Sequence, residues 1–218
     1  LRRLGVDVID LYQCHWPDHG TPIEETIDAL TTLRGPGLIR AFGVSNFPSP
    51  LLHDACEQAA VACNQVEYHP FLSQRRLLTL AQSLGVVVTA YSPLAQGRVF
   101  GNATLQRIAA AHGCSVAQVV LRWLIQQPGV AAVPRSGDPA HIQANLNVFD
   151  LRLTAEDLQD IDALARGQRL VDPDFAPDWK TPTGLGLDIC AVMTPWHLQP
   201  AVVAALAPHG THIISEKP

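Results

Sequence analysis

The sequence is most informative first in what it lacks. No apolar run approaches the ~18–20 residues of a membrane-crossing helix, so no helical span is expected. The five cysteines (Cys14, Cys56, Cys63, Cys114 and Cys190) are odd in number and scattered, with no C-x-x-C pair. That disfavours a disulfide scaffold or a structural zinc site, and points to a reducing, cytoplasmic setting. Blocks of like charge are also missing. Fifteen basic and twenty acidic side chains give a net charge of −5, offering neither a nucleic-acid footprint nor a polybasic membrane anchor. No G-x-G-x-x-G loop occurs; Thr183-Gly184-Leu185-Gly186 does not sit between a strand and a helix. The sole methionine is Met193, and the opening LRRLGVDVIDLYQ has no signal-peptide apolar core. The gene is therefore expected to begin upstream of Leu1. The remainder is ordinary: 218 residues, 47% hydrophobic and 16% charged, enough for one domain or slightly more at ~100–200 residues each.

One pattern repeats along the chain: a short β-branched run, a polar cluster, then a segment with helical spacing. Strands are expected at Val6–Cys14, Ile39–Val44, Cys63–Glu67, Val86–Tyr91 and Val130–Val133. Thr21-Pro22-Ile23-Glu24 has the order of an N-cap, a first-turn proline and a capping-box glutamate, and Ile23, Ile27, Leu30 and Leu33 continue as one stripe. Further helices are expected after Asn46-Phe47-Pro48-Ser49, from Ser73 to a glycine cap at Gly85, through Leu105–Ala109, and from Ser115. Two more should start at the caps Asp138-Pro139 and Thr154.

Alternating strands and helices imply parallel strands joined by crossovers, in either a doubly wound sheet or a TIM barrel. Polar clusters favour the barrel: His15-Trp16, Ser45-Asn46, Gln65, Tyr91-Ser92 and Arg135-Ser136 all lie toward the carboxyl ends of strands. A barrel gathers every such end on one face, whereas an open sheet concentrates chemistry at one switch point. A whole barrel has eight strands and about 250 residues, so the five strands before Asp150 predict a partial (β/α)8 barrel over residues 1–180. The proline- and glycine-rich stretch leading into 181–187 reads as a linker. A βαβ piece is expected over 188–218, with strands Ile189–Met193 and Thr211–Ser215.

Each polar cluster has a bland reading as well. A strand-end histidine is often purely structural, Ser and Asn are common turn residues, and Trp16 and Tyr91 are also plausible core aromatics. His15 and His19 are four apart, but Pro17 between them and Gly20 beyond argue against a helical metal-binding face. No metal is expected.

The segments LYQCHWPD, RAFGVSNF, NQVEYHP, AYSPLAQG and AVPRSGDPAHIQANLNVFDL, in that order, resemble the aldo-keto reductase family over residues 1–180. The similarity looks closest to the branch containing 2,5-diketogluconate reductases. The resemblance implies a barrel that holds NADPH across its carboxyl face and passes hydride to a small aldehyde, ketone or keto-sugar. On it, His15 hydrogen-bonds the substrate carbonyl and Trp16 lines the substrate pocket. Ser45, Asn46 and Gln65 hold the nicotinamide carboxamide, and the ring of Tyr91 stacks on nicotinamide. Ser92, Leu94, Arg135, Ser136 and Asn145 continue the cofactor site. His141 stands where the family carries an arginine, and Ala144 where it carries an acid, so NADH remains an alternative to NADPH. The family's general-acid tyrosine, with its lysine and aspartate, belongs to a region before the part matched by Leu1. The 218 residues are thus expected to be weakly active or inactive alone. The alternatives are a non-catalytic cofactor-binding or assembly partner, or a barrel completed by a missing N-terminal segment or a partner chain. The tail, 188–218, resembles the strand–helix–strand end of the glucose-fructose oxidoreductase (Gfo/Idh/MocA) family, with Glu216-Lys217-Pro218 as its motif. A dehydrogenase fragment of that type is a third reading.

Overall fold

The computed structural model describes residues 1–179, 189–192 and 212–215. Five strands, β1 (Ile9–Cys14), β2 (Ile39–Ser45), β3 (Cys63–Glu67), β4 (Val87–Tyr91) and β5 (Val130–Ala132), form one parallel sheet in the order β1-β2-β3-β4-β5. Each strand pairs with its successor and the order never reverses. A doubly wound sheet reverses at its switch point, so the observed order is that of a barrel sector.

The strands begin and end where pairing permits. Val6 to Val8 were expected to extend β1, but β1 pairs with β2 from Ile9↔Ile39 onward. The residues before Ile9 have no ladder partner in β2, and Val6 stays exposed. β3 is buried at four of its five positions, as expected of a central strand covered on both faces. β1 is one edge of the sheet, with Leu11 and Tyr12 exposed.

Helices alternate with the strands: α1 (Ile23–Arg34), α2 (Ser49–Gln58), α3 (Arg75–Leu84), α4 (Ala103–Ala111), α5 (Val116–Ile125), α6 (Pro139–Leu146) and α7 (Ala155–Asp162). Most caps follow the sequence. Gly85 closes α3 in the left-handed region (φ 69°). Ser115 and Thr154 open α5 and α7 with reciprocal capping boxes to Gln118 and Asp157. Asp138 caps α6 by accepting from the Ala140 amide at 2.8 Å. The box expected at Thr21 does not form. Its hydroxyl donates to Asp18 Oδ2 at 2.6 Å, and α1 starts at Ile23 without a side-chain cap. A seven-residue 3-10 segment, Ala95–Gly101, follows β4 and was not anticipated.

The helices' apolar stripes close one core against the sheet, with Ile27, Leu52, Leu105, Ile108, Leu124 and Ile161 packed to 0–1% exposure. At about 25 cal/mol per Å² of apolar surface, each such side chain contributes ~1.5–3 kcal/mol. One close approach depends on a glycine. A Cβ on Gly43, in the middle of β2, would lie 2.5 Å from Cys63 Sγ and 2.9 Å from the Cys63 carbonyl.

Two further strands, β6 (Ile189–Val192) and β7 (His212–Ser215), pair in parallel with each other, within about one residue of the strands expected there. The expected linker, the helix expected between these strands and the Glu216-Lys217-Pro218 motif lie outside the described residues. No single helix among the described residues is long and apolar enough to cross a membrane.

Candidate functional site

The polar strand ends converge through one buried hub, Asn46, which follows β2 and is 1% exposed. It adopts a left-handed backbone (φ 64°), a conformation that Asn tolerates better than most residues because its short amide bonds locally. Its Nδ2 donates to the His15 carbonyl and to Ser45 Oγ, both at 3.1 Å. Its Oδ1 accepts from the Tyr91 hydroxyl at 2.8 Å. The Asn46 amide N–H in turn donates to the Gln65 carbonyl at 2.9 Å, and Ser45 Oγ donates to the same carbonyl at 2.7 Å. Ends of β1, β2, β3 and β4 are thereby fixed to one another by four hydrogen bonds.

This bonding places each side chain differently. His15 is exposed at the end of β1, with its ring 6.4 Å from that of Trp16. Gln65 is half-buried and commits its carbonyl, not its side chain, to Ser45 and Asn46. The Tyr91 hydroxyl is pushed up to about 12, chiefly by burial and further by the negative charge of Glu67, against an opposing pull from Arg169. It remains a hydrogen-bond donor at neutral pH.

Beyond β4 the chain opens into a groove of about 660 Å³. Ser92, Leu94, Arg135, Ser136 and Asn145 all line it. These five were singled out from segments up to fifty residues apart, and the fold brings them to one concavity. His141 and Ala144, the two departures from the family pattern, line it too. Arg135 is exposed and gives the groove a cation; His141 Nδ1 lies 3.8 Å from Asp138 Oδ2. Besides Asn46, the non-glycine residues with positive φ among those described are Ser92, Ala95 and Gln96, all beside this groove. Such conformations cost of order 1–3 kcal/mol each and concentrate where a ligand site requires them.

One cluster was missed. Glu67, at the end of β3 and wholly buried, accepts from His69 Nε2 at 3.0 Å and from the amides of Leu170 and Val171 at 2.8 and 3.1 Å. His69 Nδ1 accepts from the Phe71 amide at 3.3 Å, which puts the ring proton on Nε2, facing the carboxylate. Arg169 Nη1 lies 3.8 Å from Glu67 Oε2. Burial raises the Glu67 carboxyl, but the hydrogen bonds from His69 and the two amides outweigh it and hold the group below the usual carboxylate range. Glu67 and His69 stand inside the NQVEYHP segment, so their residue types were visible there. Their partner a hundred residues later carried no sequence signal.

That partner begins a strap. After α7 the chain bonds to the Phe71 carbonyl through the amides of Arg166 and Gln168, passes Glu67, and reaches the β1–α1 loop. There Phe175 and Trp179 meet Trp16 edge-on, with ring centroids 5.5 and 6.2 Å apart. His19 Nε2 donates to the Ala176 carbonyl at 3.1 Å.

Residues 1–166 match the family model for the aldo/keto reductase family. An uncharacterized oxidoreductase, YtbE of Bacillus subtilis (strain 168), is 42% identical over 177 residues, covering 80% of this chain and 62% of that protein. The glyoxal reductase of the same organism is 41% identical over 172 residues, covering 78% and 62%. A crystal structure described as a candidate 2,5-diketo-D-gluconic acid reductase B superposes with a TM-score of 0.80 at 39% identity, covering 82% of this chain and 65% of that one. A crystal structure of a Gox0644 mutant in complex with NADPH superposes with a TM-score of 0.74 at 35% identity, covering 81% of this chain and 66% of that one. The chain thus spans a little under two thirds of the length of the curated relatives it matches. The Gfo/Idh/MocA resemblance of the tail finds no support in these comparisons, and the family match ends at residue 166. The parallel five-stranded sheet is accordingly a partial barrel of the aldo-keto type, and the chain belongs to the aldo/keto reductase family.

Proposed function

We propose that this face belongs to an NADPH-dependent oxidoreductase that reduces small aldehydes, ketones or keto-sugars. The observation that carries this reading is the groove: five residues anticipated for one extended cofactor line a single 660 Å³ concavity beside the Asn46 hub. Its shape and residue types suit the ligand. Arg135 offers a guanidinium for a phosphate, a pairing strengthened by its fork of donors, and Ser136 adds a hydroxyl just before α6. Gln65 leaves its side-chain amide for a carboxamide, while Asn46 holds Tyr91 so that its ring, not its hydroxyl, faces a flat heterocycle.

When bound, the nicotinamide supplies hydride to a carbonyl carbon. The chain's part is to hold that carbonyl. His15 presents an imidazole at the end of β1, where a donor aimed at the oxygen stabilises the negative charge developing there. Trp16, which meets the rings of Phe175 and Trp179, offers an apolar surface next to it. His141 in the groove, with Asp138 near it, makes a weaker cationic site than paired guanidiniums, so discrimination of NADPH from NADH should be modest.

Protonation of the oxygen is a separate matter. The sequence has three tyrosines: Tyr12 is exposed within β1, Tyr68 donates to Gln127 Oε1 at 2.7 Å, and Tyr91 donates to Asn46. Two of the three hydroxyls are thus already engaged, and the family resemblance assigns none of the three to the general acid. A general acid contributes about 10²–10⁴ in rate, so these 218 residues should bind cofactor while turning over slowly or not at all. The same observation favours a second reading, a cofactor-binding partner completed by other residues.

Titrating the full chain with NADPH, following nicotinamide fluorescence, tests the cofactor site, and Arg135→Ala should weaken binding at least tenfold. A flat titration overturns the proposal. Glyoxal turnover measured alongside separates the two readings: brisk turnover would remove the second.

A further inference from the structure

The two oxygens of the buried Glu67 carboxylate are satisfied without Arg169. Oε1 accepts from His69 Nε2 and the Leu170 amide, and Oε2 accepts from the Val171 amide. Arg169 Nη1 stands 3.8 Å from Oε2, beyond hydrogen-bond reach, and is buried without a hydrogen-bond partner. What the guanidinium brings to the carboxylate is therefore charge. We propose that the Glu67–Arg169 pair sets the relative affinity of the Tyr91 face for oxidised and reduced nicotinamide: the carboxylate favours the cationic ring, the guanidinium favours the neutral one, and together they offset. This rests on the cofactor reading above and gives a part in it to two residues which that reading leaves unused.

The fold brings the pair close to Tyr91. Glu67 and Tyr91 are register partners on the adjacent strands β3 and β4, which places them about 4.8 Å apart in the pairing direction. Tyr91 then donates to Asn46 at the end of β2, and β3 lies between β2 and β4. Its side chain thus crosses the strand end that carries Glu67. The Tyr91 hydroxyl responds to both charges: after burial, the largest cause, Glu67 pushes it up and Arg169 pulls it down. Both charges are also held in place. Glu67 is wholly buried and accepts three hydrogen bonds, while the guanidinium carbon of Arg169 rests 3.6 Å from the centroid of the Trp179 ring.

Oxidised and reduced dinucleotides differ at the nicotinamide by one unit of positive charge. A fixed charge near that ring therefore separates the two forms, whereas a compensated pair does not. At an effective dielectric of ~20, a unit charge acting over ~10 Å shifts a binding ratio about tenfold. Left alone, the buried carboxylate would hold back the oxidised product; the guanidinium removes that bias. Loss of a merely structural tie would weaken both forms alike and leave their ratio unchanged.

The test measures dissociation constants of NADP+ and NADPH by calorimetry on the full chain, at pH 8.5, where imidazoles are ordinarily neutral. Wild type is compared with Arg169→Met, Arg169→Lys, Glu67→Gln and the double variant Glu67→Gln/Arg169→Met. The quantity read is the ratio Kd(NADP+)/Kd(NADPH). Arg169→Met should lower it about tenfold, and Glu67→Gln should raise it about tenfold. Arg169→Lys keeps the cation, and the double variant removes both charges, so each should stay within about threefold of wild type. Circular dichroism confirms the fold of each variant, and the two Arg169 variants decide the matter if Glu67→Gln does not fold. A ratio that moves less than about threefold in Arg169→Met, or in the same direction in both single variants, overturns the proposal. If wild type binds both dinucleotides and only the ratio fails to respond, the cofactor reading stands without it. If wild type binds neither, both fall.

Discussion

Replacing Asn46 separates two energies that the structure stacks on one residue. Its side chain makes three hydrogen bonds, to the His15 carbonyl, Ser45 Oγ and the Tyr91 hydroxyl, and its backbone sits at φ 64°. At about 0.5–1.5 kcal/mol net per bond, Asn46→Gly should cost ~2–4 kcal/mol, since glycine keeps the left-handed backbone without strain. Asn46→Ala loses the same bonds and adds roughly 1–2 kcal/mol for a Cβ in the left-handed region. For a chain of this length, each kcal/mol shifts Tm by about 2–4 °C. The glycine variant should therefore melt roughly 4–16 °C below wild type, and the alanine variant several degrees lower again. Circular dichroism on the three proteins, with urea midpoints as a second measure, gives both steps. Equal stability of the glycine and alanine variants would refute the backbone argument. A glycine variant as stable as wild type would refute the hub.

Other consequences are as definite. Gly43→Ala should destabilise by about 1–3 kcal/mol or more, because its Cβ would meet both the sulfur and the carbonyl of Cys63; an unchanged urea midpoint contradicts this. Burial pushes both Tyr68 and Tyr91 up to about 12 from the usual value near 10. The folded state then holds protons that the unfolded chain releases, so stability is intact below pH 10 and falls as pH rises from 10 toward 12. Denaturation midpoints across that window, with Tyr68→Phe flattening the slope, check the sign. Glu67 has the opposite linkage. Its carboxyl is held below the usual range, so its contribution is present at neutral pH and is lost as pH falls through its lowered value. Glu67→Gln should be less stable at pH 7 and should lose less on acidification; parallel acid profiles for the two proteins would show otherwise.

What the sequence made legible was local or periodic. The five main strands were expected within three residues of where they lie, because β-branched runs flanked by turn residues need no distant information. Caps at Ser115, Asp138 and Thr154 were equally visible. The failures involve a competing partner or a distant one. Thr21 had the residues of a capping box, but Asp18 offered its hydroxyl a nearer acceptor. Val6–Val8 had strand composition, but the ladder with β2 starts only at Ile9. The 3-10 segment after β4 passes through left-handed backbone at Gln96 and Gly97, and the glutamine gives no warning of this. For the candidate site, the residues of NQVEYHP were in plain view. Their assembly with Arg169 depends on a strap crossing from β3 to β1, a contact between segments about a hundred residues apart that no local pattern encodes. The grouping of Ser92, Leu94, Arg135, Ser136 and Asn145 was an expectation of the family resemblance, and their segments follow β4 and β5, which are neighbours.

The central claim is that one groove beside the Asn46 hub holds an extended dinucleotide. Amide chemical-shift mapping of the isotopically labelled full chain during addition of NADPH addresses it most directly. The account predicts saturable shifts at Ser92, Leu94, Ser136 and Asn145, with smaller ones at Gln65 and Tyr91 and none along the exposed face of α2. Shifts scattered over α2 and α3, or a spectrum unmoved at millimolar NADPH, would contradict it.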